Sequence, residues 1–484
     1  MDFHSVPFEH QAHSLDEIKK TLADCQVHRA ILKLLPKNAN DKNQIYISTD
    51  FGVLSDEFAL TFNERGASSS DKDARSVRVE RNISEAVFDH FSWLKSDGTL
   101  SKAKRVKAII YPQYPEVRLS GFTTFENTMP SSLSVSFTKR YPDAQRLLVL
   151  GARAGGDCIG IIYSNLSDGL VEEVKTLPGN DRAKACKLIE FGEPGIDHLL
   201  ELLKPVVGVQ LPGCRLNKMG ATLPFTGTQV CGYTLEHSLG ISSNSDKDGD
   251  IFGIELKTHT SKKLTLFTPE PDFGYYAEDF TGFMNRFGYL DEEGDRRLTG
   301  LHRSDIPCVK TGLVLRVTEF RVDSDGSWIL NESGERKRFP YDEHSPLSAK
   351  TDGLQVVLLD ANGFVAAGWS FARLMNSWGA KHNEVVYIPA EKTVNNNVAQ
   401  FDQGYKVGVT FSPTVMLCQK TSAEKLYKAI NDGVIFLDPA PKLHATDASK
   451  HKRRAQWRVN DISKAAKVLY EHVEYITLRS ISRY

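Results

Sequence analysis

The chain is short of most features that would class it quickly. Its seven cysteines, Cys25, Cys158, Cys186, Cys214, Cys231, Cys308 and Cys418, are odd in number, widely scattered and never spaced Cys-x-x-Cys. That pattern argues against a disulfide framework and a zinc site, and suits reduced thiols in a cytoplasm. No apolar run is long enough to span a bilayer, and the opening Met-Asp-Phe-His-Ser-Val-Pro has neither a basic nor an apolar leader. A soluble, unexported protein with no membrane partner is expected. Charge of one sign is not in excess either, since 60 Lys+Arg meet 61 Asp+Glu. Any nucleic-acid site must then be a local basic patch. A phosphate loop is also missing: Gly151-Ala-Arg-Ala-Gly155-Gly156-Asp157-Cys-Ile-Gly160 lacks Gly-Lys-Ser/Thr and runs into Ile161-Ile162-Tyr163. Those residues are expected to turn a hairpin at Gly155-Gly156-Asp157.

At 484 residues the chain exceeds one ordinary core, so two or three domains are expected. One amphipathic helix lies before about residue 28, and the region to about 180 reads mainly as strands. These include Gln44 to Ser48, Val106 to Tyr111, Glu116 to Ser120, Leu133 to Phe137 and Arg146 to Leu150. The charged, serine-rich segment Ala67 to Arg78 reads as a loop. A boundary is placed near 185, dividing a β-rich domain, 1–185, from a domain over 186–484 that opens with a helix at Pro194 to Leu203. Farther on, Glu236 falls in a short helix ended by Gly240. Strands are expected at Cys308 to Phe320 and Leu354 to Leu359, a turn at Asp360-Ala-Asn-Gly363 and a helix at Trp369 to Trp378.

The chemistry-bearing stretch is Asp250-Ile-Phe-Gly-Ile-Glu255-Leu-Lys257-Thr-His259. Its β-favouring residues predict a strand in which Glu255, Lys257 and His259 share one face while Ile254 and Leu256 face the core. Asp250 closes the acidic turn signal Asp246-Lys-Asp-Gly-Asp250 and would come near Glu255 across a bend at Gly253. Two carboxylates beside one ammonium suit Mg²⁺. From spacing alone a solvated strand edge outweighs this reading, because 25% of the chain is charged. An EF-hand loop beginning at Asp246 is excluded, since Ile251 would stand where its glycine belongs and Lys257 where its bidentate glutamate belongs.

The surrounding text shifts that balance. Gly232-Tyr-Thr-Leu-Glu236, the Asp250 to His259 stretch and Leu264-Thr-Leu-Phe-Thr268-Pro269 follow one another as in the MvaI/BcnI-type restriction endonucleases, relatives of the MutH nickase. The chain resembles that family over about 190–484, through Phe283-Met-Asn-Arg-Phe-Gly288-Tyr289 to Trp457-Arg458-Val459-Asn460. The resemblance implies an α/β fold with a mixed sheet of the PD-(D/E)XK type, with a catalytic core at about 230–270. It implies a Mg²⁺-dependent endonuclease acting on double-stranded DNA in host defence, with Mn²⁺ able to substitute. Asp250, Glu255 and the Leu256 carbonyl would hold the metal, Lys257 would serve the attacking water and Glu236 would support them. For His259, a phosphate contact and a hydrogen-bonded structural role are equally open. A monomer or homodimer with a cognate DNA methyltransferase is implied.

Between Pro441 and Tyr484 the basic residues Lys442, Lys450, Lys452, Arg453, Arg454, Arg458, Lys464, Lys467, Arg479 and Arg483 outweigh Asp447, Asp461, Glu471 and Glu474. Composition alone allows a solvated loop. The resemblance makes about 435–460 the DNA-reading segment, with Asp438, His451 and Arg458 at base-contacting positions and Arg453 and Arg454 beside them. Where family members that recognise C/G-rich sites have Asp-Ile-Arg, this chain has Asp438-Pro439-Ala440, so its site is expected to differ. Three alternatives stay open: an enzyme gated by modified DNA through residues 1–185, a nickase, and a DNA-binding protein without catalysis.

Overall fold

In the computed structural model the described residues are 7–36, 45–48, 52–55, 57–65, 83–111, 116–153, 156–180, 183–191, 194–217, 221–240, 251, 254–347, 350–351, 353–379 and 382–479. The segment Ala67 to Arg78 and the predicted ligand Asp250 lie outside them. Among them, no helix is long and apolar enough to cross a membrane.

The first half is β-rich. Its labelled strands are β1 (Arg29–Leu35), β2 (Leu60–Arg65), β3 (Arg146–Ala152), β4 (Cys158–Ser164) and β5 (Ala183–Glu190). Every residue of β3 and β4 is buried, as their near-continuous apolar runs require of strands covered on both faces. They pair antiparallel from Arg146↔Ser164 to Ala152↔Cys158, which makes the expected hairpin. At its turn Gly156 has φ +78°, and a Cβ there would lie 2.5 Å from the Ala59 nitrogen. β3 pairs with β1, and β1 with β5, in an eight-stranded sheet. β5 thus crosses the position near 185 where a boundary was expected. A five-stranded sheet contains Ile45–Ser48, Glu116–Ser120, Lys107–Tyr111, Ile83–Phe88 and β2.

One expected strand is a helix. Ser134 accepts the Phe137 N–H and starts Val135–Arg140, with Lys139 and Arg140 in its last turn. The hydroxyl cap and favourable basic end prevail over the alternation of Leu133 to Phe137. The helix expected from Trp369 begins two residues later for the same reason: Ser370 ends the strand Val365–Ser370 and accepts the Arg373 N–H. The strand expected from Cys308 begins at Val314, because Cys308 to Gly312 forms a turn closed by the Gly312 N–H on the Cys308 carbonyl.

The second half is mixed α/β. After α1 (Pro194–Leu203) and α2 (Val230–Ser238) come β6 (Glu255–His259), β7 (Leu264–Phe267), α3 (Phe280–Phe287), α4 (Phe371–Trp378), β8 (Glu384–Val394), β9 (Val407–Phe411), β10 (Thr414–Gln419), β11 (Phe436–Leu437), β12 (Lys442–Leu443), β13 (Trp457–Val459) and β14 (His472–Thr477). β8 is the spine. On one edge β6 runs parallel to it from Glu255↔Val385 to His259↔Pro389. On the other edge β10 pairs antiparallel from Glu384↔Gln419 to Tyr387↔Met416, and β9 takes the far end of the strand. α1 and α2 cover one face of this sheet through Ile196, Leu199, Leu203, Val230, Cys231 and Leu235.

The halves meet through both apolar and charged groups. The Phe62 ring of β2 stands edge-on to Phe371 of α4 at 5.4 Å, and the Phe62 N–H donates to Asn376 Oδ1 at 2.8 Å. Arg29 of β1 lies 3.6 Å from Glu57 and 3.6 Å from Glu384 of β8. Burial pushes the Glu57 carboxyl up to about 7 against the opposing pull of Arg29 and Lys420, while Glu190 reinforces the rise. A folded-state value above the ordinary carboxyl range contributes stability in acid that is lost as pH rises through about 7. Glu57→Gln is expected to remove that loss, a difference on the order of 3 kcal/mol between acid and mildly alkaline pH. Urea unfolding of both proteins across that range measures it; wild-type stability independent of pH, or the same slope in both, would refute it.

Candidate active site and nucleic-acid interface

The carboxylate of Glu255 and the ammonium of Lys257 meet on one face of β6, with Lys257 Nζ donating to Glu255 Oε1 at 2.8 Å. Their side chains are 7% and 16% exposed, so this pair is shielded from the water that weakens surface ion pairs. The expected alternation holds, but the expected burial does not. Ile254 is buried, while Leu256 is only half-buried and Glu255 is more deeply enclosed than Leu256. Both faces of β6 are covered: Leu256 packs toward the core that includes α1 and α2, and Glu255 lies toward the core that includes Tyr387 and Trp378.

Just before β6 the backbones of Ile251 and Ile254 bond reciprocally, at 3.3 and 2.8 Å, while the bend expected at Gly253 lies outside the described residues. Glu236 lies half-buried in α2. That helix approaches β6 closely at Gly232, where a Cβ would sit 3.9 Å from Thr258 Oγ1. His259 Nδ1 donates to the Ser261 carbonyl at 2.9 Å, and burial lowers its pKa.

Sequence reasoning did not single out His382, which lies close enough to feel the charges of Glu255 and Lys257. Its ring stacks on Trp378 at 4.3 Å, with Nδ1 3.0 Å from the Trp378 carbonyl and Nε2 3.2 Å from the Leu266 carbonyl. Burial, and next the Lys257 charge, lower its pKa to about 4. No motif marks it, because its neighbours come from separate segments.

The basic segment is joined to this site by backbone. β13 pairs antiparallel with β7, placing Arg458 opposite Thr265 and Trp457 opposite Phe267, and it pairs with β11 on its other side. The Phe267 and Trp457 rings stack at 5.9 Å, and Trp369 meets Trp457 edge-on at 5.1 Å. Arg458 Nη1 and Lys263 Nζ both donate to Asp438 Oδ2, each at 2.8 Å. Arg453 lies over the rings of Phe280 and Tyr276 at 4.7 and 5.4 Å, and Arg454 is exposed. Glu270, also missed, accepts the Ala455 N–H at 2.9 Å and the Tyr276 hydroxyl at 2.5 Å, fixing the backbone behind these arginines.

Among the described residues, three carboxylates converge elsewhere, at Asp291, Glu293 and Asp295. Lys442 bonds to Asp295, and Arg297 donates to Asp291 at 2.8 Å. Asp291 also accepts the N–H groups of Glu293 and Asp295. Cations and turn hydrogen bonds thus account for this group.

The model of the MvaI/BcnI restriction endonuclease family matches residues 219–470. Among solved structures, the chain is similar to a complex of restriction endonuclease MvaI with its cognate DNA substrate, at 20% identity over 58% of this chain and 97% of that one, TM-score 0.39. It is also similar to MvaI in the absence of DNA, at 18% identity over 60% of this chain and all (100%) of that one, TM-score 0.31. No curated protein matches.

The Phe267–Trp457 stack leads to a stability test. Trp457→Ala is expected to cost about 3 to 5 kcal/mol, the range for emptying a buried aromatic site. A drop in the urea midpoint measures it, and a change below about 1 kcal/mol would show that the stack does not hold β7 to β13.

Proposed function

From the premise that the chain belongs to the MvaI/BcnI restriction endonuclease family, we propose that it hydrolyses phosphodiester bonds in double-stranded DNA at a specific short site, using Mg²⁺, in host defence. The observation that carries this reading is the enclosed Glu255–Lys257 pair on a strand whose neighbour is bonded to the Arg458 strand.

The donor set suits a hard cation. Glu255 offers a carboxylate and Leu256 a backbone carbonyl, Asp250 would add a second carboxylate, and no thiolate or imidazole is among them. Mn²⁺ would be accepted by the same oxygens. When bound, such an ion polarises the phosphoryl group and favours ionisation of water. Lys257, with three donors on a flexible stem, would hold the attacking water and a phosphoryl oxygen. Glu236 would support that arrangement from α2, and His259 would meet a backbone phosphate. Asp438, His451, Arg453, Arg454 and Arg458 would contact DNA, with Arg458 suited to paired bonds to guanine. A cognate methyltransferase would protect the host's own sites.

We assign the sheets ending at β5 to a DNA-reading or effector module and α1 onward to the endonuclease. A second reading, cleavage gated by this module on modified DNA, is favoured by the contact of Arg29 with Glu384, the residue before the Glu255 partner Val385.

Purified protein with Mg²⁺, incubated with unmodified and variously modified genomic DNA and followed by sequencing of the ends, tests both readings. Cleavage of unmodified DNA at one short site supports the first, and cleavage of modified DNA alone supports the second. Lys257→Ala is expected to lower the cleavage rate by on the order of 10³-fold while DNA binding persists. Full activity in that variant would overturn the site assignment.

A further inference from the structure

The loop between β12 and Lys452 contains two histidines whose hydrogen bonds determine what they can offer a base. Its ends are held together, because Lys442 and Lys452 exchange backbone bonds of 2.8 Å in each direction. The Ala445 N–H donates to Asp295 Oδ1 at 2.8 Å, which fixes the loop from outside. Within it, the His444 N–H donates to His451 Nδ1 at 3.0 Å. His444 Nδ1 in turn accepts the N–H groups of Thr446 and Asp447, at 3.3 and 3.1 Å.

A ring nitrogen that accepts a hydrogen bond carries no proton. In a neutral imidazole the proton must then sit on the other nitrogen, so both rings are Nε2–H donors. No bond to either Nε2 is made among the described residues. Both rings are half-buried, and the loop stands beside exposed Lys450, Lys452, Arg453 and Arg454.

We propose that His444 is a base-reading residue, acting beside His451, and that it selects the N7 acceptor of a purine in the major groove through its Nε2–H. N7 is the acceptor that both purines present there, and a lone donor placed against it distinguishes a purine from cytosine at that strand position. Cytosine offers only its amino donor in that groove, so a ring fixed as a donor finds no partner there. The inference rests on the DNA-cleaving reading above and specifies part of its site.

The variant His444→Asn separates reading from loop structure. The asparagine Oδ1 can accept the same Thr446 and Asp447 N–H groups as Nδ1 does, while the Nε2–H donor is removed. The cleavage site of the wild type is first found by end sequencing. Duplexes with each purine of that site replaced singly by its 7-deaza analogue are then cut by wild type and variant. Wild-type cleavage should fall about tenfold or more at the position His444 reads, the scale of one lost base contact. The variant should show no such sensitivity at that position, while keeping the wild-type sensitivity at any purine that His451 or the arginines read.

The same 7-deaza profile in both proteins, with cleavage intact, overturns the role of His444 and leaves the endonuclease reading standing. A wild-type profile insensitive at every purine also overturns it, and does so without reference to how the variant folds. Absence of DNA cleavage by the wild type removes the endonuclease reading and this inference together.

Discussion

The pairing of β7 with β13 governs much of the second half, because it joins segments far apart in sequence that carry different duties. β6 and β7 are consecutive, yet they diverge into different sheets: β6 lies along β8, and β7 forms the edge of a three-stranded sheet beside β13. The Glu255–Lys257 pair and the Asp438–Arg458 pair are thereby set at a spacing fixed by one short turn and one ladder. Stacking of Phe267 on Trp457, closed from the side by Trp369 and Trp378, makes slippage of that ladder costly, since a one-residue shift would turn every side chain to the wrong face. Rigid placement of this kind is what a reaction limited by positioning needs.

The two halves are anchored on the same spine. Arg29 approaches Glu384, the first residue of β8, and Lys420, next to the end of β10, lies 3.5 Å from Glu190 of β5. These charges are partly enclosed, so removing one partner would leave another in a medium that solvates it poorly. The apolar contact of Phe62 with Phe371 then bears on α4, whose Trp378 stacks on His382. A shift of the first half would thus be felt on β8 and α4, elements that flank the Glu255–Lys257 pair.

What could be read beforehand followed from local rules. Glu255 and Lys257 share a face because strand periodicity is two, and the 155–157 hairpin follows from glycines between apolar runs. The alternation of Leu133 to Phe137 points to a strand, but the capping hydroxyl of Ser134 outweighs so short a pattern, and that of Ser370 shifts the start of its helix by two residues. The burial of Glu255 could not be read, since it depends on β8 lying beside it, far along the chain. His382, Lys263 and Glu270 were invisible for the same reason: their partners at Leu266, Asp438 and Ala455 are brought near only by the fold.

The field this segment presents is weaker than its basic residues alone imply. Lys442 is bonded to Asp295, Lys450 lies 3.3 Å from Asp447, and Arg458 is held by Asp438. A cation already matched by a carboxylate gathers fewer anions from solution, so it contributes less to the counterion-driven part of binding to any phosphate backbone. Lys452, Arg453 and Arg454 have no carboxylate partner among the described residues, and the aromatic contacts of Arg453 leave its charge unneutralised. For a segment proposed to read DNA, nonspecific attraction is thereby confined to a few side chains. The matched pairs exchange an internal carboxylate only for a group with equally good hydrogen-bond geometry. Internal pairing of this kind restrains indiscriminate binding while leaving sequence-dependent contacts available.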